Sequence, residues 1–216
     1  MPLQAKRIRG VIFDLDGTLY VSPGFAATIQ DAAARYIAGL KEITPDNACR
    51  EMATTRSLLT EETGGVPTLS AVCKRLGGNL HDLHTFFEGC LRPESYLTRD
   101  ERVVALLERL APRIPLYLFT NNNRVLTTRI VDYLGLTGLF RRIYAIDDTW
   151  TGKPDEGLLD RILAEARLIP SEALFVGDRY DVDLRLPEQR GCPVYLSQSV
   201  EQLLRLEEIL GTAESL

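Results

Sequence analysis

Histidine and tryptophan are scarce in this 216-residue chain, which holds two of the first, His81 and His84, and one of the second. Two histidines three residues apart with no third ligand do not make a zinc site, so a surface or cap position is expected for both. The four cysteines, Cys49, Cys73, Cys90 and Cys192, show no CxxC spacing and no clustering with the histidines. That excludes ribbon-type metal sites and a disulfide framework, and it predicts free thiols in a reducing cytoplasm. No stretch approaches the roughly 20 apolar residues that a membrane-spanning helix needs. The opening Met1–Arg7 segment has no secretory pattern. An excess of basic charge is missing as well: 25 Lys and Arg face 30 Asp and Glu, a net charge of −5. A nucleic-acid polymer would be repelled, although a local basic pocket for a small phosphate ester is still allowed. There is no P-loop around Gly152-Lys153-Pro154, which lacks the upstream glycine and the following serine or threonine. Asp14-Leu15-Asp16-Gly17 lacks the later acids of a calcium loop.

What is present is alternation. Five short apolar runs read as strands buried on both faces: Ile8–Phe13, Pro115–Phe119, Ile143–Ile146, Ala173–Val176 and Pro193–Leu196. Between the later ones lie helical patterns at Asn123–Leu134, Pro154–Ala166 and, at the end, Val200–Leu210. Strand, helix, strand in repetition implies an α/β fold with parallel pairing through right-handed crossovers. One interval breaks the rhythm. After Phe13 the next strand begins about a hundred residues later, and only helical patterns intervene. They are Ala26–Leu40, Pro45–Thr63, Thr68–Leu76, His81–Arg92 and Arg99–Leu110, the last opened by a capping box at Thr98 to Glu101. The final helix of this group returns the chain to the sheet. The predicted division is a core of residues 1–21 and 97–216 and an all-α insertion of residues 22–96.

In open parallel sheets ligands bind beyond the carboxyl ends of the strands. Asp14-Leu15-Asp16-Gly17-Thr18 follows the first strand, Thr120-Asn121-Asn122-Asn123 the second, Gly152-Lys153-Pro154 the third and Gly177-Asp178-Arg179 through Asp183 the fourth. Any one of these is an ordinary loop; all four on one sheet edge suit phosphoryl transfer. An anionic phosphomonoester repels a carboxylate nucleophile unless a cation intervenes, and Mg²⁺ favours carboxylate oxygens, water and phosphate. Asp14 is the expected nucleophile, and Asp14 and Asp178 are the expected metal ligands, with Asp16 counted among the metal-site acids. Asp16, directed at the leaving oxygen, would protonate the leaving alkoxide and later deprotonate water. Lys153 would neutralise building charge, and the Thr120 hydroxyl with the backbone N–H groups after it would donate to the transferring group. Thr18, Asn121, Asn122 and Arg179 are the expected substrate contacts, Thr18 also steadying Asp16. Asp183 would fix Lys153 or a metal-bound water from behind.

These four segments resemble the signature motifs of the haloacid dehalogenase-like hydrolase superfamily. The resemblance runs through the whole catalytic part of the chain. It implies a Rossmann-like sheet, an aspartyl-phosphate intermediate, Mg²⁺, and a helical insertion that acts as a mobile cap. Asp14-Leu-Asp-Gly-Thr-Leu-Tyr20, Phe119-Thr-Asn121 and Tyr96-Leu97 look similar to pyrimidine 5′-nucleotidase-type members, although Asn122, Asn123 and Leu126 depart from their usual continuation. The expected partner is a small-molecule phosphate ester, with no membrane, the chain acting as monomer or homodimer. Arg56, Thr63, Gly64, Gly65 and Thr68 are insertion residues that could meet it. A dehalogenase would need no second acid, so Asp16 counts against one. A phosphomutase would keep Asp16 and stays open. A phospho-acceptor receiver is shorter and lacks a large insertion, and a degenerate binding module would have damaged one of these polar positions.

Overall fold

Short runs of β-branched and aromatic residues with no polar alternation can be buried on both faces only between two layers of helices. The computed structural model, which describes residues 8–211, has this layering. Its strands are β1 (Gly10–Phe13), β2 (Leu116–Phe119), β3 (Arg142–Tyr144), β4 (Ala173–Gly177) and β5 (Val194–Leu196). They form one sheet in the order β3-β2-β1-β4-β5, every neighbouring pair parallel. Val11 pairs with Leu116 on one side and Leu174 on the other, which makes β1 the central strand. Ile12, Tyr117, Phe119, Tyr144 and Phe175 share a core with Leu158, Leu159, Ile162 and Leu163 of the helix Glu156–Ala166. Each boundary of the expected strands stands within two residues of the observed one. Met1–Arg7 lies outside the described residues.

The helices are α1 (Pro23–Lys41), α2 (Pro45–Thr63), α3 (Leu69–Arg75), α4 (Leu80–Cys90), α5 (Glu101–Leu110), α6 (Arg124–Tyr133), α7 (Glu156–Ala166), α8 (Arg185–Gln189), α9 (Val200–Leu204) and α10 (Leu206–Gly211). Four details correct the sequence reading. α1 begins at Pro23, with the Ser22 hydroxyl accepting the Phe25 N–H, not at Ala26. α5 is capped by Asp100 and not Thr98, because Asp100 accepts the Arg102 N–H at 2.9 Å and grips the Arg102 guanidinium at 2.7 Å. The last helix divides at Arg205, where the Gln202 carbonyl accepts both the Arg205 N–H at 3.1 Å and the Tyr195 hydroxyl at 2.6 Å. His84 is not a surface residue. It lies with Leu80, Leu83 and Phe87 on the buried face of α4, edge-on to the Phe87 ring.

The chain divides into two compact units, Ser22–Leu97 and the described residues on either side of it. The first is all helical. α1 packs on α2 and α4 within it, and Ser22 Oγ donates to the Tyr96 carbonyl at 3.1 Å. Among the insertion residues expected to meet a ligand, several have local structural tasks. The Thr63 hydroxyl donates to the Leu59 carbonyl at 2.7 Å, Thr68 caps α3, and Arg56 donates to Gln30 at 3.0 Å. The four cysteines are free thiols. No helix among the described residues is long and apolar enough to cross a membrane.

Candidate active site

The second unit holds the whole set of polar residues that follow the strands. β1 carries its hydrogen bonding one residue past its end, the Asp14 N–H donating to the Val176 carbonyl at 2.8 Å. The chain then turns sharply. Leu19 N–H donates to the Leu15 carbonyl at 3.0 Å and Gly17 N–H to the Tyr20 carbonyl at 2.9 Å. Gly17 has φ of +88°, and a Cβ there would stand 2.3 Å from Asp178 Oδ2. Only glycine allows both the backbone conformation and the approach of the β4 loop. β4 neighbours β1, which brings Asp14 and Asp178 together.

Lys153 enters from the loop after β3. Its ammonium group is buried and spends three donors: Asp14 Oδ1 at 2.6 Å, Asp183 Oδ1 at 2.6 Å and the Phe119 carbonyl at 2.9 Å. Its backbone N–H donates to Asn121 Oδ1 at 2.7 Å, which ties the β2 loop to the β3 loop. Asp183 is carried by a wide π turn at Tyr180–Leu184, a geometry common at functional sites. The turn folds Asp183 back beneath Asp178, where its other oxygen accepts the Arg179 N–H at 3.1 Å.

Asp14, Asp178 and Asp183 each offer a carboxylate oxygen, all within 4.8 Å of one another, a spacing that can hold a cation. Asp178 Oδ1 is buried without a hydrogen bond; its nearest cationic atom is Arg179 Nε at 3.9 Å. Both Asp183 oxygens are taken by Lys153 and the Arg179 N–H. Asp14 is likewise bonded on both oxygens, by Lys153 and Thr18, so Asp178 Oδ1 is the buried oxygen of the triad without a hydrogen bond. Asp16 stands outside the triad, because Tyr20 donates its hydroxyl to one of its oxygens and Asn122 Nδ2 donates to the other at 2.7 Å.

Two more expectations shift. The fully buried Thr18 hydroxyl donates to Asp14 Oδ2 at 3.1 Å, so it steadies Asp14 and neither holds Asp16 nor faces a ligand. Thr120 Oγ1 accepts the Asn122 N–H at 3.1 Å, so that N–H is not available to a transferring group, and the Asn122 amide serves Asp16. Asn121 keeps a buried Nδ2 with no hydrogen-bond partner, a donor that is open to a ligand. Arg179 is exposed at the edge of the site, its side chain 46% accessible. Tyr20 is the residue the motif reading missed as a site member. The signal was its position four residues after Asp16, across a glycine turn that closes on itself.

Four carboxylates thus gather near one ammonium group, and burial perturbs Asp14, Asp16 and Asp178 among them. Burial pushes Asp14 up, helped by Asp183 and Asp16 and opposed by Lys153. Burial likewise raises Asp16 against the pull of Tyr20, Lys153, Arg179 and Asn122. Burial and then Asp183 push Asp178 up to about 6. For Lys153 burial works against the charge, yet Asp14 and Asp183 outweigh it and raise its pKa. A bound divalent cation is the physical remedy for such an excess.

Comparison with known proteins agrees with this arrangement. Residues 8–188 match the family described as haloacid dehalogenase-like hydrolase. The phosphoglycolate phosphatase of Yersinia pestis is 30% identical over 199 residues, covering 87% of this chain and 80% of the relative. That of Escherichia coli O157:H7 is 25% identical over 201 residues, covering 86% and 79%. In structure, a HAD phosphatase from Thermococcus onnurineus superposes with a TM-score of 0.65 at 19% identity, over 94% of this chain and 98% of that one. The chain belongs to the haloacid dehalogenase-like hydrolases and is a phosphatase-type enzyme of that family.

Proposed function

We propose that this protein hydrolyses a small phosphomonoester through an aspartyl-phosphate formed on Asp14. The observation that carries the reading is the meeting of Asp14, Asp178 and Asp183 around one buried, triply bonded ammonium group. Asp14 attacks phosphorus while Asp16 gives its proton to the departing alkoxide. Asp16, now ionised, takes a proton from water, whose oxygen attacks the phosphoryl group. Inorganic phosphate leaves, and the Asp14 carboxylate is restored. Lys153 holds Asp14 in its attacking orientation and balances charge on the phosphoryl oxygens, Asn121 donates its open amide, and Arg179 meets the ester from the edge. Asp14 and Asp178 would hold Mg²⁺, which would supply further neutralisation of the phosphoryl charge.

The helical unit is read as the substrate-selecting cap. Phosphoglycolate, named for the curated relatives, heads the substrates to be assayed, followed by nucleoside 5′-monophosphates, which the motif likeness favours, and sugar phosphates. Free thiols support a cytoplasmic location, and a monomer or homodimer is the expected form. The test is release of inorganic phosphate from such a panel with Mg²⁺ present. Isomerisation of a sugar phosphate without phosphate release would replace the reading with a phosphomutase. In Asp16→Ala, turnover should fall roughly 100-fold or more, and phosphorylated enzyme should accumulate with p-nitrophenyl phosphate, whose good leaving group needs little help from an acid. Undiminished turnover would remove Asp16 from the mechanism.

Metal binding should also couple to pH. Burial and Asp183 push Asp178 up to about 6 in the folded protein, against an ordinary value of 3.8, and burial raises Asp14 in the same direction. Folded protein then keeps protons that the unfolded chain has lost. Their contribution to stability is complete below the ordinary value and is lost as pH rises through the folded one. Mg²⁺ binds the ionised carboxylates and offsets that loss. The Mg²⁺-induced rise in Tm, measured against EDTA, should be small at about pH 5 and reach roughly 5–10 °C at about pH 7.5 under saturating metal. A rise of equal size at both pH values contradicts the carboxylate site.

A further inference from the structure

We propose that Tyr20 is a positioning residue for Asp16, its hydroxyl forming with the Asn122 amide a two-sided clamp that fixes the plane of the Asp16 carboxyl group. The inference rests on the acid–base reading of Asp16.

Tyr20 reaches back over the turn twice. Its carbonyl accepts the Gly17 N–H at 2.9 Å, and its hydroxyl donates to Asp16 Oδ1. Asn122 Nδ2 donates to Asp16 Oδ2 at 2.7 Å from the neighbouring strand end. The Tyr20 side chain is buried, 7% accessible, within the catalytic unit. Phenylalanine would fill the same volume without a polar atom to satisfy, so packing alone does not call for the hydroxyl. Its partner is a carboxylate that packing does not require either.

A group that alternately gives and takes a proton must present the same oxygen lone pair in both steps. A carboxylate has about four acceptor directions, so one donor on each oxygen leaves a direction free on each while stopping rotation of the group. The two donors come from different segments, the β1 turn and the β2 loop, so neither segment alone fixes Asp16. Holding a proton donor within a few tenths of an ångström of its working place is a large part of what such a group contributes.

The experiment compares Tyr20→Phe with the parent on a series of substituted phenyl phosphates in saturating Mg²⁺, reading kcat/KM. A misplaced acid matters most for poor leaving groups. We expect a loss of about tenfold or more with phenyl phosphate and about twofold or less with p-nitrophenyl phosphate, with the Mg²⁺-induced shift in Tm unchanged. Asn122→Ala should give the same selective loss. Adding Tyr20→Phe to Asp16→Asn should cost nothing more. An equal loss across the series, or none, with both clamp variants folded overturns the proposal. Asp16→Asn on the same series separates the two readings. If it falls selectively while the clamp variants do not, the clamp is wrong and the acid stands; if it too falls uniformly, the acid–base reading fails and takes the clamp with it.

Discussion

Asp14→Asn is expected to abolish Mg²⁺-dependent release of phosphate from an aryl phosphate, a drop of roughly a thousandfold or more, with the fold unchanged. The geometry makes this a clean substitution. Asparagine has the same shape, its carbonyl can still accept the Lys153 ammonium group, and its amide can donate to the Thr18 hydroxyl that now donates to Asp14 at 3.1 Å. What disappears is the nucleophile and one of four carboxylates gathered round a single ammonium group. Thermal stability without metal should hold or rise, because one charge that burial resists has gone. Turnover within tenfold of the parent would dismiss Asp14 as nucleophile.

Lys153→Met should have the largest effect on stability and abolish turnover as well. The ammonium group is 3% accessible and is the shared partner of Asp14 and Asp183, both at 2.6 Å. Methionine fills the stem but leaves two buried carboxylates facing each other. Breaking a buried pair from one side costs about 3–5 kcal/mol, roughly 10 °C in Tm for a chain of this size. Asp183→Asn added to Lys153→Met should recover part of the lost stability and none of the activity, since one stranded charge is removed but the cation that steers Asp14 is not restored. A single variant that melts with the parent would show that the ammonium group is not the counter-charge of this cluster.

The fold was largely legible because each strand is a continuous apolar run and each loop after it breaks that run with acids, amides or glycine. α2 was readable at both ends: Thr44 and Pro45 open it and Gly64 closes it in a left-handed conformation. Ser22-Pro23 carries the same signal for α1, ahead of the point where the apolar periodicity starts. The polar residues that the structure brings together were likewise visible from their places after β1, β2, β3 and β4. Their partners were not. Asn122 lies 106 residues from Asp16 and Lys153 lies 139 from Asp14, and which of two nearby oxygens a donor chooses depends on how the loops approach. Thr18 chose Asp14 over Asp16 because the Gly17 turn carries it back beneath the strand end. Asp183 joins Asp14 and Asp178 because the π turn at Tyr180–Leu184 adds a reach that residue spacing does not express.

The bond from Ser22 to the Tyr96 carbonyl closes the neck of the helical unit, so the chain leaves for that unit and comes back from it at nearly one point. A segment entered and left through one doorway can be lengthened, shortened or traded for foreign sequence without stretching the strands on which the chemistry is mounted. With that unit read as the substrate-selecting cap, as proposed above, inheritance can revise what is selected while leaving the cutting machinery untouched.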